Sequence, residues 1–233
     1  MKTLHNIQDF SIPEPMTNIQ FRGADCIFNI PLEDPKDCGR VIFPANQNKR
    51  LLRPGLTVIV GDNGTGKSTL MDVFADILDD NKLPYARYSD TEDGRSRNYS
   101  YFLEKGNVDK AALRMTSSEG ENIAYNFFDA ANQYRAFINK YKREIMKIRH
   151  CFFLLDGIDS GTSIATIDLF KTLVFKDLLD VSSRANVILY IIATANNYEM
   201  ARNERCIDVN TGDEIVFRDY EHYREYIMER KHE

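Results

Sequence analysis

The sequence predicts an α/β fold: a mainly parallel central sheet flanked by helices, with an antiparallel β portion ahead of it and a hairpin plus helix behind. Three observations carry this expectation. The compact β-branched run Leu56–Val60 leads through a glycine-rich turn into apolar residues at helical spacing. Two further apolar runs, Cys151–Leu155 and Val187–Ala193, bracket a helical pattern, and strands that alternate with helices form parallel sheets. Finally, 233 residues, 43% of them hydrophobic, can bury one sizeable core, whereas chains usually split only beyond roughly 250–300 residues. One domain over 1–233 is expected, with an N-terminal β portion and loop (1–55) and a core (56–233).

Taken in order, Asn18–Arg22 and Asp25–Ile30 read as short strands broken at Gly23. Pro31–Asn48, with three prolines and several Asn and Asp residues, reads as an irregular loop. Leu56–Val60 is a buried strand, and Leu70, Val73, Phe74 and Leu78 mark a helix from Gly66 to about Leu78. Asp79–Arg97 is polar and charged, a surface loop with at most one strand. A long helix is expected from Ser118 to Arg149, its seam Phe127, Ala131, Tyr134, Ile138, Tyr141, Ile145 and Ile148 stepping by four and three. That stripe suits a core-facing helix better than a coiled coil. The helix Ile164–Leu179 separates the two later strands. Arg205–Val209 and Glu214–Arg218 flank the turn Asn210-Thr211-Gly212-Asp213, and a charged helix spans Tyr220–Lys231.

Composition narrows the function. The apolar fraction disfavours disorder, no apolar run approaches the roughly 18 residues of a membrane span, and the first residues lack a signal-peptide core. A cytoplasmic protein with no membrane contact is expected. The cysteines Cys26, Cys38, Cys151 and Cys206 form no C-x-x-C pair and suggest no zinc site; Cys151 reads as a small buried hydrophobe. A formal charge of −5 disfavours whole-surface nucleic-acid binding. The basic residues Arg135, Lys140, Lys142, Arg143, Lys147 and Arg149 of the long helix read as a solvated face, or else as a local contact for nucleic acid or an acidic partner.

The turn after Leu56–Val60 carries the chemistry. Gly61-Asp62-Asn63-Gly64-Thr65-Gly66-Lys67-Ser68 fits G-x-x-x-x-G-K-S/T in full, between strand and helix. Glycines let such a loop wrap a phosphate chain, while its N–H groups and the helix N-terminus face the anion. ATP is the expected ligand, held by Gly61–Thr69, with Lys67 on the β- and γ-phosphates and Ser68 on Mg²⁺. Asp156, ending the apolar strand Cys151–Leu155, is the expected second group on Mg²⁺; a helix N-cap carboxylate is the other reading.

The segment Leu56–Ala75 resembles the phosphate loop of ABC-class ATPases. It is most similar to stand-alone predicted ATPases whose heads resemble the structural-maintenance-of-chromosomes and recombination ATPases. The resemblance runs from about Leu56 to Tyr223, and is poor between Ile77 and Met115. It implies that Ser118-Glu119-Gly120-Glu121 is the signature that meets the γ-phosphate across a head-to-tail dimer. The same residues also form an S-x-x-E capping box, the simple start of a helix. It further implies a dimer-crossing loop at Ser160–Ser163, a strand end at Ile191–Asn197, a tail through Cys206-Ile207-Asp208 and Tyr220-Glu221-His222-Tyr223, and a glutamine-loop residue placed near Glu104.

Two positions depart from the family pattern. The catalytic glutamate expected after the strand aspartate is Gly157, and the switch histidine falls at Ala195. Losing both groups impairs hydrolysis more than binding. Asp159 is the nearest substitute base, with a loop carboxylate as the plainer reading, and Asn196 could donate a hydrogen bond near the γ-phosphate. The expected protein is an ATP-dependent homodimer with slow hydrolysis and a protein partner, such as a nuclease or other effector in genome defence or repair. A non-catalytic ATP-held switch is the alternative. Phe21, Phe28 and Phe43 are candidates to stack on adenine.

Overall fold

A computed structural model of the chain describes residues 16–31, 33–34, 37–41, 48–89, 119–140, 145 and 147–229. Its centre is a six-stranded sheet. Fully buried parallel strands read as unbroken apolar runs, and the first of these is β6 (Gly55–Val60), in which Thr57–Val60 are all buried. The helix α1 (Lys67–Asp80) follows, then β7 (Tyr85–Ser89), which lies within the polar stretch after Asp79. The helix α2 (Glu119–Lys140) leads to β8 (His150–Asp156). Next come α3 (Ile164–Leu169), a π-helical segment (Phe170–Phe175), α4 (Lys176–Arg184) and β9 (Ile188–Thr194). The short α5 (Tyr198–Ala201), β10 (Cys206–Asp208), β11 (Glu214–Ile215) and α6 (Tyr220–Glu229) complete the described chain.

The strands lie in the order β11-β10-β6-β9-β8-β7, all parallel except β11. β9 therefore stands between β6 and β8 and sets their C-terminal ends about 10 Å apart, two strand spacings. Side chains alternate across the sheet. Phe152 and Leu154 of β8 face α1, packing with Leu70, Phe74 and Leu78. Phe153 and Leu155 face the other way, onto Phe127, Ala131 and Tyr134 of α2 and Phe170 and Phe175 of the π segment. Tyr134 hydrogen-bonds its hydroxyl to that of Ser182 on α4 at 3.0 Å.

The expected antiparallel portion is a three-stranded sheet, β1 (Ile19–Arg22), β2 (Asp25–Asn29) and β5 (Lys49–Leu52), laid over the α1 side with Phe28 against Phe74 at 4.7 Å. β5 was hidden in the sequence by Lys49 and Arg50. Arg50 is nonetheless fully buried, donating to the Val209 carbonyl at 2.9 Å. The stretch expected to be an irregular loop holds a two-stranded hairpin, β3 (Glu33–Asp34) with β4 (Asp37–Val41). The tail hairpin forms, but β10 pairs in parallel with β6, so it extends the central sheet. The helical stretch from Ile164 runs to Arg184, five residues beyond the expected end. In α2 the seam residues Phe127, Ala131, Tyr134 and Ile138 are buried, and Ile145 and Ile148 continue it; Tyr141 lies outside the described residues.

Cys26, Cys151 and Cys206 are buried free thiols; burial pushes Cys151 and Cys206 up to about 12. Among the described residues no helix is long and apolar enough to cross a membrane.

Candidate functional site

The site lies beyond the C-terminal ends of β6, β8 and β9, the crevice that open α/β sheets offer to ligands. Residues 61–66 leave β6 there. A Cβ at Gly61 would sit 2.6 Å from both Thr65 Oγ1 and Val209 Cγ1, so any larger residue forces these side chains to shift. Thr65 Oγ1 donates to the Asp62 carbonyl at 2.7 Å and closes the loop on itself. Gly66 caps α1 at φ 96° without any side-chain cap, and no acidic residue sits in the first turn. The N–H groups that open α1 are thus left for an anion. Ser68 is exposed and Thr69 half-buried on that first turn.

Lys67 is buried and donates to the carbonyls of Gly61 at 2.8 Å and Asp62 at 3.0 Å. Burial pulls its ammonium below the usual range, against the opposing fields of Asp159, Asp62 and Asp156. Asp156 and Asp159 come from the end of β8 and the turn after it, at the same edge of the sheet as the loop that leaves β6.

Asp156 is buried at the end of β8, and its Oδ1 accepts from Thr194 Oγ1 at 2.9 Å. The same hydroxyl accepts from the Gly157 N–H at 3.0 Å, so Thr194 holds both the carboxylate and the turn behind it. Gly157 has φ 75°, a left-handed conformation that a residue with Cβ adopts at a cost of about 1–2 kcal/mol. Ala195 is fully buried.

Asp159 is buried, and its two oxygens accept from the Asn196 N–H (2.7 Å), the Asn197 N–H (2.7 Å) and the Asn196 side-chain amide (3.1 Å). Burial raises its carboxyl above the usual range, and these donors pull the other way. The loop after β8 is thereby tied to the loop after β9.

A cavity of about 170 Å³ opens beside the loop, lined by Gly61, Asp62, Asn63 and Asn196 on one side and by Tyr220, Tyr223, Arg224, Ile227 and Met228 of α6 on the other. Sequence reasoning missed α6 as a wall of the site and Thr194 as a support for Asp156. The only local signal for either was a hydroxyl ending an apolar strand and aromatic residues spaced along a charged helix.

The other expected residues are placed differently. Glu119 and Gly120 open α2 and Glu121 is exposed, while Ser118 and Glu104 lie outside the described residues. Arg135 pairs with Asp177 of α4 at 2.7 Å and Asn132 at 2.5 Å, so this member of the basic stripe serves helix packing. Phe28 is buried under α1, and Phe21 stacks on His150 at 3.8 Å, at the start of β8. Six residues, about 20 Å, separate that end of the strand from Asp156, so neither ring is placed for adenine; Phe43 lies outside the described residues.

A family model, AAA_23, described as an AAA domain, matches residues 42–186, more than half of the chain, including the glycine-rich loop, Asp156 and Asp159. No curated protein and no solved structure matches the chain.

Proposed function

The chain belongs to the AAA_23 family of AAA domains, P-loop ATPase heads of the ABC and structural-maintenance-of-chromosomes type, and from that premise we propose that it binds ATP with Mg²⁺ and hydrolyses it slowly as a head-to-tail homodimer. The observation that carries the reading is the start of α1, opened by the glycine-rich loop, with no side-chain cap and no acidic residue in its first turn, beside the buried Lys67.

Gly61–Thr69 would wrap the phosphates, with Lys67 moving from the loop carbonyls to the β- and γ-oxygens. Ser68 and Asp156 offer hard oxygen donors of the kind Mg²⁺ requires, and Thr194 orients the carboxylate. The cation, when bound, neutralises charge on the β- and γ-oxygens. In the dimer, Ser118–Glu121 of one subunit would meet the terminal phosphate held by the other. Coupling to a protein effector fits a small head with depleted hydrolytic groups.

A specific observation favours the second reading, an ATP-held switch without productive hydrolysis. Gly157 sits in a backbone conformation hostile to the missing glutamate, and Ala195 is buried where the switch histidine would be.

Phosphate release from Mg·ATP tests these readings, with Lys67→Ala prepared identically as the blank. Turnover above the blank that rises faster than linearly with protein concentration supports the dimeric ATPase. Tight ATP binding without turnover supports the switch. Equal ATP affinity in Lys67→Ala would overturn the nucleotide site itself.

A further inference from the structure

We infer that Arg224 of α6 reads the terminal phosphate from within the same subunit, so that the site distinguishes nucleoside triphosphate from diphosphate. This inference rests on the ATP-binding reading above. The cavity beside the phosphate loop is bounded by Gly61, Asp62 and Asn63, the loop's first half, and by Asn196 at the end of β9. Across it stand Tyr223 and Arg224. At about 170 Å³ it has the volume of roughly five or six waters, enough for a phosphoryl group and part of its hydration. Lys67, which would hold the β- and γ-phosphates, donates to the Gly61 and Asp62 carbonyls of that first half. The same two residues line the cavity, so the outer end of the phosphate chain belongs on the side of the loop that Arg224 lines.

Charge agrees with this placement. Of the two charged residues lining the cavity, Arg224 is the cation, with the amide of Asn196 also on the lining, and Asp62 is the anion on the loop wall. Its guanidinium is held by Glu221 at 2.9 Å, one turn away on the same helix, and both side chains are more than half exposed. Such an exposed pair holds weakly, so a phosphate with a matching fork of oxygens displaces it easily.

The helix that presents Arg224 is itself firmly docked. Tyr226 donates to Asp208 Oδ2 at 2.8 Å, and Tyr223 packs edge-on against Phe217 at 5.0 Å and tilted against Tyr198 at 5.6 Å. Asp208 ends β10, which pairs with β6, the strand that delivers the phosphate loop. α6 and the loop thus share one rigid frame, and Arg224 need only turn its side chain.

The test compares ATP and ADP binding, with Mg²⁺ present, in the unaltered protein, Arg224→Ala, Arg224→Lys and Lys67→Ala. Arg224→Ala is expected to weaken ATP about tenfold or more and to leave ADP unchanged, with Arg224→Lys recovering part of the loss. Equal effects on both nucleotides, or none on either, would overturn the assignment of Arg224 while leaving the nucleotide site standing. Failure of the unaltered protein to bind either nucleotide, or Lys67→Ala binding as tightly, would overturn the proposed function and this inference with it. Because Arg224 is exposed, the variants should unfold at the temperature of the parent.

Discussion

Asp159 holds Asn196 twice: the Asn196 backbone N–H donates to Oδ2 at 2.7 Å and its side-chain amide to Oδ1 at 3.1 Å. The Asn197 N–H adds a third bond, also at 2.7 Å. A carboxylate engaged in this way is a brace between two loops, and it fixes Asn196 at the wall of the cavity. Asp159→Ala should therefore destabilise the protein by about 1–3 kcal/mol, because it leaves part-buried backbone donors without their acceptor. Chemical denaturation checks this, and an unchanged midpoint would refute the brace. An Asp159→Asn protein of parental stability that had lost turnover would assign the carboxylate to proton transfer instead.

Restoring the glutamate of the family pattern should not restore fast hydrolysis. At φ 75° a Gly157→Glu side chain strains the turn by about 1–2 kcal/mol and disturbs the N–H that Gly157 gives to Thr194. The expected result is a lower unfolding temperature and no gain in phosphate release. A large gain would show that the turn can relax and that the missing glutamate alone limits the rate.

Thr194 supports the metal side of the site from an adjacent strand. Thr194→Val keeps the shape but removes the hydroxyl that binds both Asp156 Oδ1 and the Gly157 N–H. Supporting groups of this kind typically contribute about 10–100-fold to metal affinity. Titrating Mg²⁺ against ATP-dependent activity or binding should show a higher requirement in the variant. Nucleotide affinity measured in the absence of Mg²⁺ should change much less.

His150 makes stability depend on acidity. It is stacked between Phe21 at 3.8 Å and Tyr190 at 5.9 Å, with Nδ1 bonded to the Tyr190 hydroxyl at 2.9 Å. Burial, and secondarily the charge of Arg149, lower it from 6.5 to about 4. Between these values the unfolded chain binds the proton more readily than the folded one. Its contribution is intact above about pH 6.5 and is lost as the pH falls towards about 4. Denaturation midpoints measured across that range should show the fall, and His150→Phe should flatten it. The same slope in both proteins would place the acid sensitivity elsewhere.

Much of the molecule was legible because its chemistry is local. Gly61, Gly66 and Lys67 recur at a spacing that a phosphate-wrapping loop demands, and unbroken runs such as Cys151–Leu155 mark strands buried on both faces. β5 was not legible, since Arg50 looks solvent-facing until Val209, far along the chain, supplies its acceptor. Nor could the tail hairpin show that it joins the central sheet, because the pairing of β10 with β6 links residues about 150 positions apart.

The sequence by itself determined the fold class, the phosphate loop and the strand aspartate, for each rests on contacts within a few residues or on the periodicity of one element. It also named the two departures, Gly157 and Ala195, though not their meaning. Only the tertiary structure decided that Gly157 occupies a left-handed turn, that Asp159 braces Asn196 and Asn197, and that α6 brings Arg224 to the cavity wall. Each of these depends on which strand ends lie side by side. Strand order is set by how buried faces of distant elements pack together, and no stretch of neighbouring residues records it.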